Sequence, residues 1–181
     1  MKTIYHTTFP TKFGEFSVAV NEAGAVLATS FGDATALRRR VRAAANPTTE
    51  WQTDPKLTAA ARTQVRDYLA GRASAFTLDL APDGTAFQKR VWNELGRIPF
   101  GTTRSYADLA RRLRSSPRAV GRANATNPIC VIVPCHRVIG ADGSLTGFAF
   151  GTEVKQRLLA LESGTVQAWT SRRIRSEPAA P

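Results

Sequence analysis

Ser105-Tyr106-Ala107-Asp108-Leu109-Ala110, followed by Ser116-Pro117-Arg118-Ala119-Val120-Gly121-Arg122-Ala123-Asn124-Ala125, decides the fold of the C-terminal half. Ser105 with Asp108 three residues later is a capping box, in which two side chains satisfy orphan backbone donors at a helix start. The pattern predicts a short helix through Leu109 to about Leu113. Ser116 with Pro117 at the first helical position predicts the next, through Val120 to about Ala125. Two short helices joined by a tight turn read as a helix-turn-helix. The second carries small residues (Ala119, Gly121, Ala123, Ala125) on one side and Arg118 and Arg122 on the other. Such a helix suits a nucleic-acid groove, although helix pairs of this kind also occur in proteins that never touch DNA.

Upstream, Thr85-Ala86-Phe87-Gln88 is another capping box, opening a helix with Phe87, Val91, Trp92 and Leu95 on its apolar face. Downstream, Asn127-Pro128 ends the helix pair. Ile129 to Val133 reads as a buried strand that delivers Pro134-Cys135-His136-Arg137. A thiol attacks only as thiolate, and a nearby imidazole or cation favours that form. Successive side chains on an extended strand face opposite ways, so bringing Cys135 to His136 requires a turn or a bridging water. Cys135 therefore reads as either a nucleophile or a structural thiol, whereas Cys130, among Ile and Val, reads as structural. Cys130, Cys135, His136 and the remote His6 do not form a zinc ligand set, and no metal is expected. Gly147-Phe148-Ala149-Phe150-Gly151 is a glycine-bracketed aromatic loop, able to approach a flat ligand or to plug the core. Val154, Leu158, Leu159 and Leu161 mark a last helix ending near Glu162. An acid there opposes the helix dipole and calls for a specific partner.

In the first half, Phe13–Val20 and Ala25–Phe31 flank the turn Asn21-Glu22-Ala23-Gly24 and predict a hairpin. A basic helix is expected from about Ala34 to Ala45, closed by Pro47, with Arg38, Arg39, Arg40 and Arg42 on a solvated face. Asp54-Pro55 predicts a helix start, with Leu57, Ala61, Val65, Tyr68 and Leu69 at helical spacing and Gly71 as its cap. Phe76 to Leu80 reads as a strand. Ala81-Pro82-Asp83-Gly84 is the candidate boundary.

The charge changes at that boundary. The 181 residues carry 25 Lys+Arg against 14 Asp+Glu, a net of +11. Residues 1–84 account for +2 of this and residues 85–162 for +7. A basic second half fits a polyanion partner or a solvated basic surface. The chain lacks an apolar run long enough to span a membrane. Its first ten residues lack the apolar stretch of a signal peptide, so a cytoplasmic protein is expected. Two cysteines exclude a disulfide framework.

Taken together, several segments resemble the O6-alkylguanine-DNA alkyltransferases, the methylated-DNA–protein-cysteine methyltransferases. These are Ile98-Pro99-Phe100-Gly101, Ser105 to Ala110, Arg118-Ala119-Val120-Gly121, Asn124, Asn127-Pro128 and Val133-Pro134-Cys135-His136-Arg137-Val138. The match continues through Gly143, Gly147, Gly151, Lys155 and Leu158-Leu159-Ala160-Leu161-Glu162, covering about residues 85–162. The resemblance implies an α+β fold. A small N-terminal α/β domain with an antiparallel, ribonuclease-H-like sheet would span 1–82. A mainly helical DNA-binding and alkyl-transfer domain with the helix-turn-helix would span 83–164, and a mobile tail 165–181.

The resemblance also implies a reaction: irreversible, stoichiometric transfer of an alkyl group from O6-alkylguanine, and more weakly O4-alkylthymine, to Cys135 without a cofactor. The base would be flipped out of double-stranded DNA, because a buried thiol cannot reach it in the stack. His136 and Glu162 would be the hydrogen-bonded pair that, through a water, deprotonates Cys135, with Asn127 holding the loop. Tyr106 would crowd the rotated phosphate and help protonate the departing base. Arg118 would fill the vacated stack. Ala119, Gly121, Arg122, Asn124, Val138, Phe148, Ala149 and Phe150 would be further DNA or base contacts. Phe148, Ala149 and Phe150 stand where tyrosine, serine and glycine are common in the family. The pocket is therefore expected to be narrow and to favour methyl over benzyl lesions. A monomer is expected.

Overall fold

A computed structural model describes residues 2–41 and 48–164. The expected tail at 165–181 and residues 42–45 of the expected basic helix lie outside the described residues. The fold is mixed α/β. Strands β1 (Lys2–Thr11), β2 (Gly14–Val20), β3 (Val26–Phe31) and β4 (Thr49–Thr53) form one sheet in the order β3-β2-β1-β4. The first three pair antiparallel, β2 with β3 as the hairpin pattern predicts, and β4 joins parallel to β1. Helix α1 (Ala34–Arg38) follows β3, and α2 (Ala59–Leu69) follows β4. The second half comprises α3 (Ala86–Gly96), β5 (Arg104–Ser105), α4 (Tyr106–Leu113), α5 (Pro117–Ala125), β6 (Val138–Ile139) and α6 (Thr152–Glu162).

The local signals for α3, α4 and α5 act as read. Thr85 and Gln88 complete one capping box, Ser105 and Asp108 another, and the Ser116 side chain accepts from the Ala119 N–H. Asp54 caps too, but its carboxylate accepts from Lys56 and Leu57 in a turn, and α2 itself begins at Ala59.

The sheet has two buried faces. Ile4, Ala19 and Ala28 pack with Leu37 of α1 and with Trp51. Phe9, Phe16, Val18, Val20 and Val26 on the other face join Val65, Tyr68, Val91, Trp92, Leu95, Leu109, Val120 and Leu158 from the helices. One apolar core thus runs from the sheet into the helical half. Removing this area from water is the main stabilising term.

Three expectations change, and one strand goes unread. Residues 76–80 form no strand: only Leu80 bridges to Val26, whose N–H and carbonyl bond Asp79 and Ala81. The segment's pairing with β3 is confined to that one bridge, and the Thr77 N–H donates to the Gln64 side chain and not to a neighbouring strand. Helix α1 stops at Arg38, where tighter bonds from Arg40 to Leu37 (3.0 Å) and from Val41 to Arg38 (3.2 Å) take over. Strand β4 goes unread in the sequence, since Thr49–Thr53 is short, polar and half exposed at a sheet edge.

Finally, Ile129–Val133 is not a strand. It folds into a tight turn closed by the Val133 N–H on the Ile129 carbonyl at 2.9 Å. At its tip Val131 adopts φ 73°, a conformation costly for a β-branched residue. Strand β3 docks on this turn: the Thr29 N–H donates to the Pro128 carbonyl (2.9 Å) and its hydroxyl to that of Cys130 (2.7 Å).

Candidate active site

The turn leads into a single 3-10 turn, Cys135–Arg137. This is the bend that adjacent Cys135 and His136 require to serve one site. Cys135 is 4% exposed, and that remnant opens into a cavity of about 590 Å³. Its walls are Tyr106 of α4, Pro117, Gly121, Asn124 and Ala125 of α5, Thr146 to Phe150 of the aromatic loop, and Arg40.

Behind Cys135, His136 is fully buried with its Nε2 2.5 Å from Glu162 Oε1. Its Nδ1 is buried without a hydrogen-bond partner among the described residues. Glu162 has the specific partners its position called for. Tyr68 Oη also donates to Oε1, while Arg137 Nε (2.8 Å) and the Gly101 N–H (3.0 Å) donate to Oε2. Gly101 has φ 74°, and a Cβ there would meet the Glu162 carbonyl oxygen at 3.2 Å, so the turn needs glycine. Arg137 is held in turn by the Ile98 carbonyl (2.6 Å) and Tyr68 Oη (3.2 Å).

This network fixes the charges. Burial pushes the Glu162 carboxyl up. The hydrogen bond and charge of His136, with the bonds from Arg137 and Tyr68, outweigh it and hold the group at about 2. Burial lowers His136 despite Glu162, favouring the neutral imidazole. The two thiols differ in surroundings. Burial raises Cys130 to about 12, and its Sγ bonds the Thr29 carbonyl, as suits a structural residue. Burial raises Cys135 as well, but a hydrogen bond from Asn127 and the charges of Arg40 and Lys155 favour its thiolate.

Asn127 is fully buried and staples the tight turn. Its Nδ2 donates to the Val133 carbonyl at 2.9 Å, and its Oδ1 accepts from the Ile129 N–H at 3.0 Å. Asn124 Nδ2 donates to Tyr106 Oη (3.3 Å) and the Cys135 carbonyl (3.4 Å). Fully buried Lys155 donates to the carbonyls of Val138 (2.6 Å) and Thr146 (2.8 Å), tying the aromatic loop to the chain beyond Cys135.

The structure thus gathers Cys135, Tyr106, Gly121, Asn124, Phe148, Ala149 and Phe150 around one cavity, with His136, Glu162 and Asn127 packed behind it. Arg118 and Arg122 lie exposed on α5, Ala119 is half-buried, and Val138 is buried outside the cavity wall. Sequence reasoning missed Tyr68, Arg137, Lys155 and Arg40 as site residues. Arg40 is not on a solvated face: its guanidinium donates to the Asn127 carbonyl and lies 4.8 Å from the Phe150 ring centroid. Nothing local marks Arg40 apart from its neighbours Arg38 and Arg39. Tyr68 carries only a core-periodicity signal.

Comparisons with known proteins point to one family. The family described as "6-O-methylguanine DNA methyltransferase, DNA binding domain" covers residues 86–164. A methylated-DNA–protein-cysteine methyltransferase of Methanosarcina acetivorans is 49% identical over 62% of this chain and 73% of its own length. The constitutive enzyme of that name from Bacillus subtilis is 42% identical over 87% of this chain and 94% of its own. The crystal structure of Mycobacterium tuberculosis OGT in complex with DNA superposes with a TM-score of 0.76 at 36% identity, covering 89% of this chain and 94% of that one. The chain belongs to the methylated-DNA–protein-cysteine methyltransferase family.

Proposed function

We propose that this protein repairs alkylated DNA by moving an alkyl group from the O6 of guanine, and more weakly the O4 of thymine, irreversibly onto Cys135. The observation that carries this is a cysteine at a cavity wall, backed by a buried imidazole whose far nitrogen is fixed on an ionised carboxylate. Glu162 accepts from His136 Nε2–H, which leaves Nδ1 as the acceptor. Through one water, Nδ1 takes the Cys135 proton. The thiolate attacks the alkyl carbon, the S–C bond forms and the C–O6 bond breaks. The purine leaves as an anion that takes a proton at N1, a step Tyr106 assists from the cavity wall. The thiol proton is thereby transferred overall to the base, and no cofactor enters. The thioether has no leaving path, so each chain acts once.

Helices α4 and α5 serve as the helix-turn-helix, with Arg118 and Arg122 outward on α5 towards DNA. Ala119 and Gly121 permit close approach to the minor groove. The base is flipped to reach Cys135, and Arg118 fills the gap. Val138, fully buried outside the cavity wall with its carbonyl held by Lys155, supports the cavity from behind, and the protein acts as a monomer. Residues 1–82 form a structural domain of ribonuclease-H-like order and 83–164 the transferring domain.

The test is intact-protein mass after incubation with duplex DNA containing O6-methylguanine, with Cys135→Ala in parallel. A gain of about 14 Da, saturating at one per chain and absent in the variant, is the expected result, since Cys135 is the thiol that lines the cavity. An unchanged mass with the lesion still bound would make the protein a lesion-recognition module. An unchanged mass with the lesion lost would mean multiple turnover and refute the mechanism.

A further inference from the structure

We propose that Arg40, in the turn after α1, is a specificity-determining residue: it fastens Phe150 to the turn that carries Cys135 and so sets the size of alkyl group the cavity admits. This deepens the alkyl-transfer reading and rests on it. Arg40 lines the cavity with Cys135 and Phe150. Its guanidinium holds both walls at once, donating to the Asn127 carbonyl and stacking over the Phe150 ring at 4.8 Å.

Phe150 is gripped from the sheet side as well. Phe31 of β3 meets it edge-on, with centroids 5.1 Å apart, and Phe148 lies 5.5 Å away on its own loop. Just before the loop, Lys155 donates to the Thr146 carbonyl. Position 150 is therefore held by residues that belong to the N-terminal half. Releasing one of those holds frees a bulky ring to swing outward, which benefits a large substituent and does nothing for a methyl group.

Arg40 also places positive charge near Cys135, so its removal slows transfer on every substrate. The informative readout is consequently the ratio of rates on two lesions. Transfer to Cys135 is followed by intact mass from matched duplexes containing O6-methylguanine or O6-benzylguanine, for wild type, Arg40→Lys, Arg40→Ala, Phe150→Leu and the Arg40→Ala/Phe150→Leu double variant. Thermal melts establish that each is folded.

Arg40→Ala raises the benzyl-to-methyl ratio about tenfold, the scale of one partly desolvated cation–π contact. Arg40→Lys raises it less, with a methyl rate nearer wild type, because charge is kept while the planar stack is lost. In the Phe150→Leu background, replacing Arg40 moves the ratio less than about twofold, because the contact it acts through is already gone. An unmoved ratio in folded Arg40→Ala, or an equal effect with and without Phe150, overturns the proposal. A wild type that transfers no methyl to Cys135 overturns the alkyl-transfer reading itself, and this proposal with it.

Discussion

Replacing Tyr68 with Phe removes one hydroxyl from the buried carboxylate network and leaves the ring in place. The ring packs 4.9 Å from Phe76 and 5.9 Å from Phe100, centroid to centroid, and both contacts survive. What is lost is the donor to Glu162 Oε1 and the acceptor for Arg137 Nη2. Oε1 keeps His136 alone, while Oε2 keeps Arg137 and Gly101. A hydrogen bond to a buried charged group contributes about 1.5–3 kcal/mol. For a chain of this size that lowers Tm by roughly 3–12 °C.

A second effect separates Tyr68 from an ordinary core residue. With one donor fewer, Oε1 carries more negative charge beside the imidazole. The His136 imidazolium is better stabilised, so the group titrates at higher pH than in wild type. The neutral imidazole is the base in the proposed mechanism, so the acid limb of the transfer rate moves to higher pH. The assay is the rate of mass gain on an O6-methylguanine duplex across pH 5 to 9, with urea denaturation of both proteins. An acid limb that stays in place, or moves to lower pH, would refute the reasoning. So would a stability loss below about 0.5 kcal/mol, the scale of a neutral surface change.

Other consequences follow from the same geometry. Burial depresses His136 below its ordinary 6.5, so the unfolded chain binds more protons below that pH; stability is full above about 6.5 and falls as pH drops through the depressed value. Glu162, depressed from 4.5 to about 2, adds a second loss between those values, and a stability profile flat from pH 7 to 3 would contradict both. Asn127→Ala strips the bonds to Val133 and Ile129, leaves the Ile129 N–H unpaired while the Val133 carbonyl keeps the Cys135 N–H, costs about 1–3 kcal/mol by denaturation and abolishes transfer. Gly101→Ala combines a positive φ with a 3.2 Å contact on the Glu162 carbonyl and lowers stability by about 1–3 kcal/mol. A Gly101→Ala chain as stable as wild type would show that the turn relaxes freely.

Local chemistry was legible wherever a few neighbouring residues suffice. Capping boxes at Thr85 and Ser105, Pro117 at a helix start and the strand–turn–strand pattern of residues 13–31 each follow from backbone groups satisfied within a few positions. Glu162 announced itself as an acid on the wrong end of a helix. The Pro-Cys-His-Arg run marked the candidate reactive segment, and the strand expected before it failed for a local reason. Apolar runs of this length read alike whether they extend or, as at Val131, turn back on themselves.

Residues 76–80 looked like a strand by composition, yet a strand exists only where another edge pairs with it, and that is decided far away in the chain. Tyr68 carries the periodicity of any core residue, but its hydroxyl meets a carboxylate 94 positions later. Arg40 sits among arginines with identical local character and is set apart by the Asn127 carbonyl 87 positions on. The sequence by itself therefore determined the starts of α3, α4 and α5 and marked Cys135 and Glu162 as candidate site residues, because these depend on chemistry carried within a turn or two of chain. Only the tertiary structure decided which buried donors hold that acid and which cation reaches the cavity, because hydrogen bonds between distant segments leave no local trace.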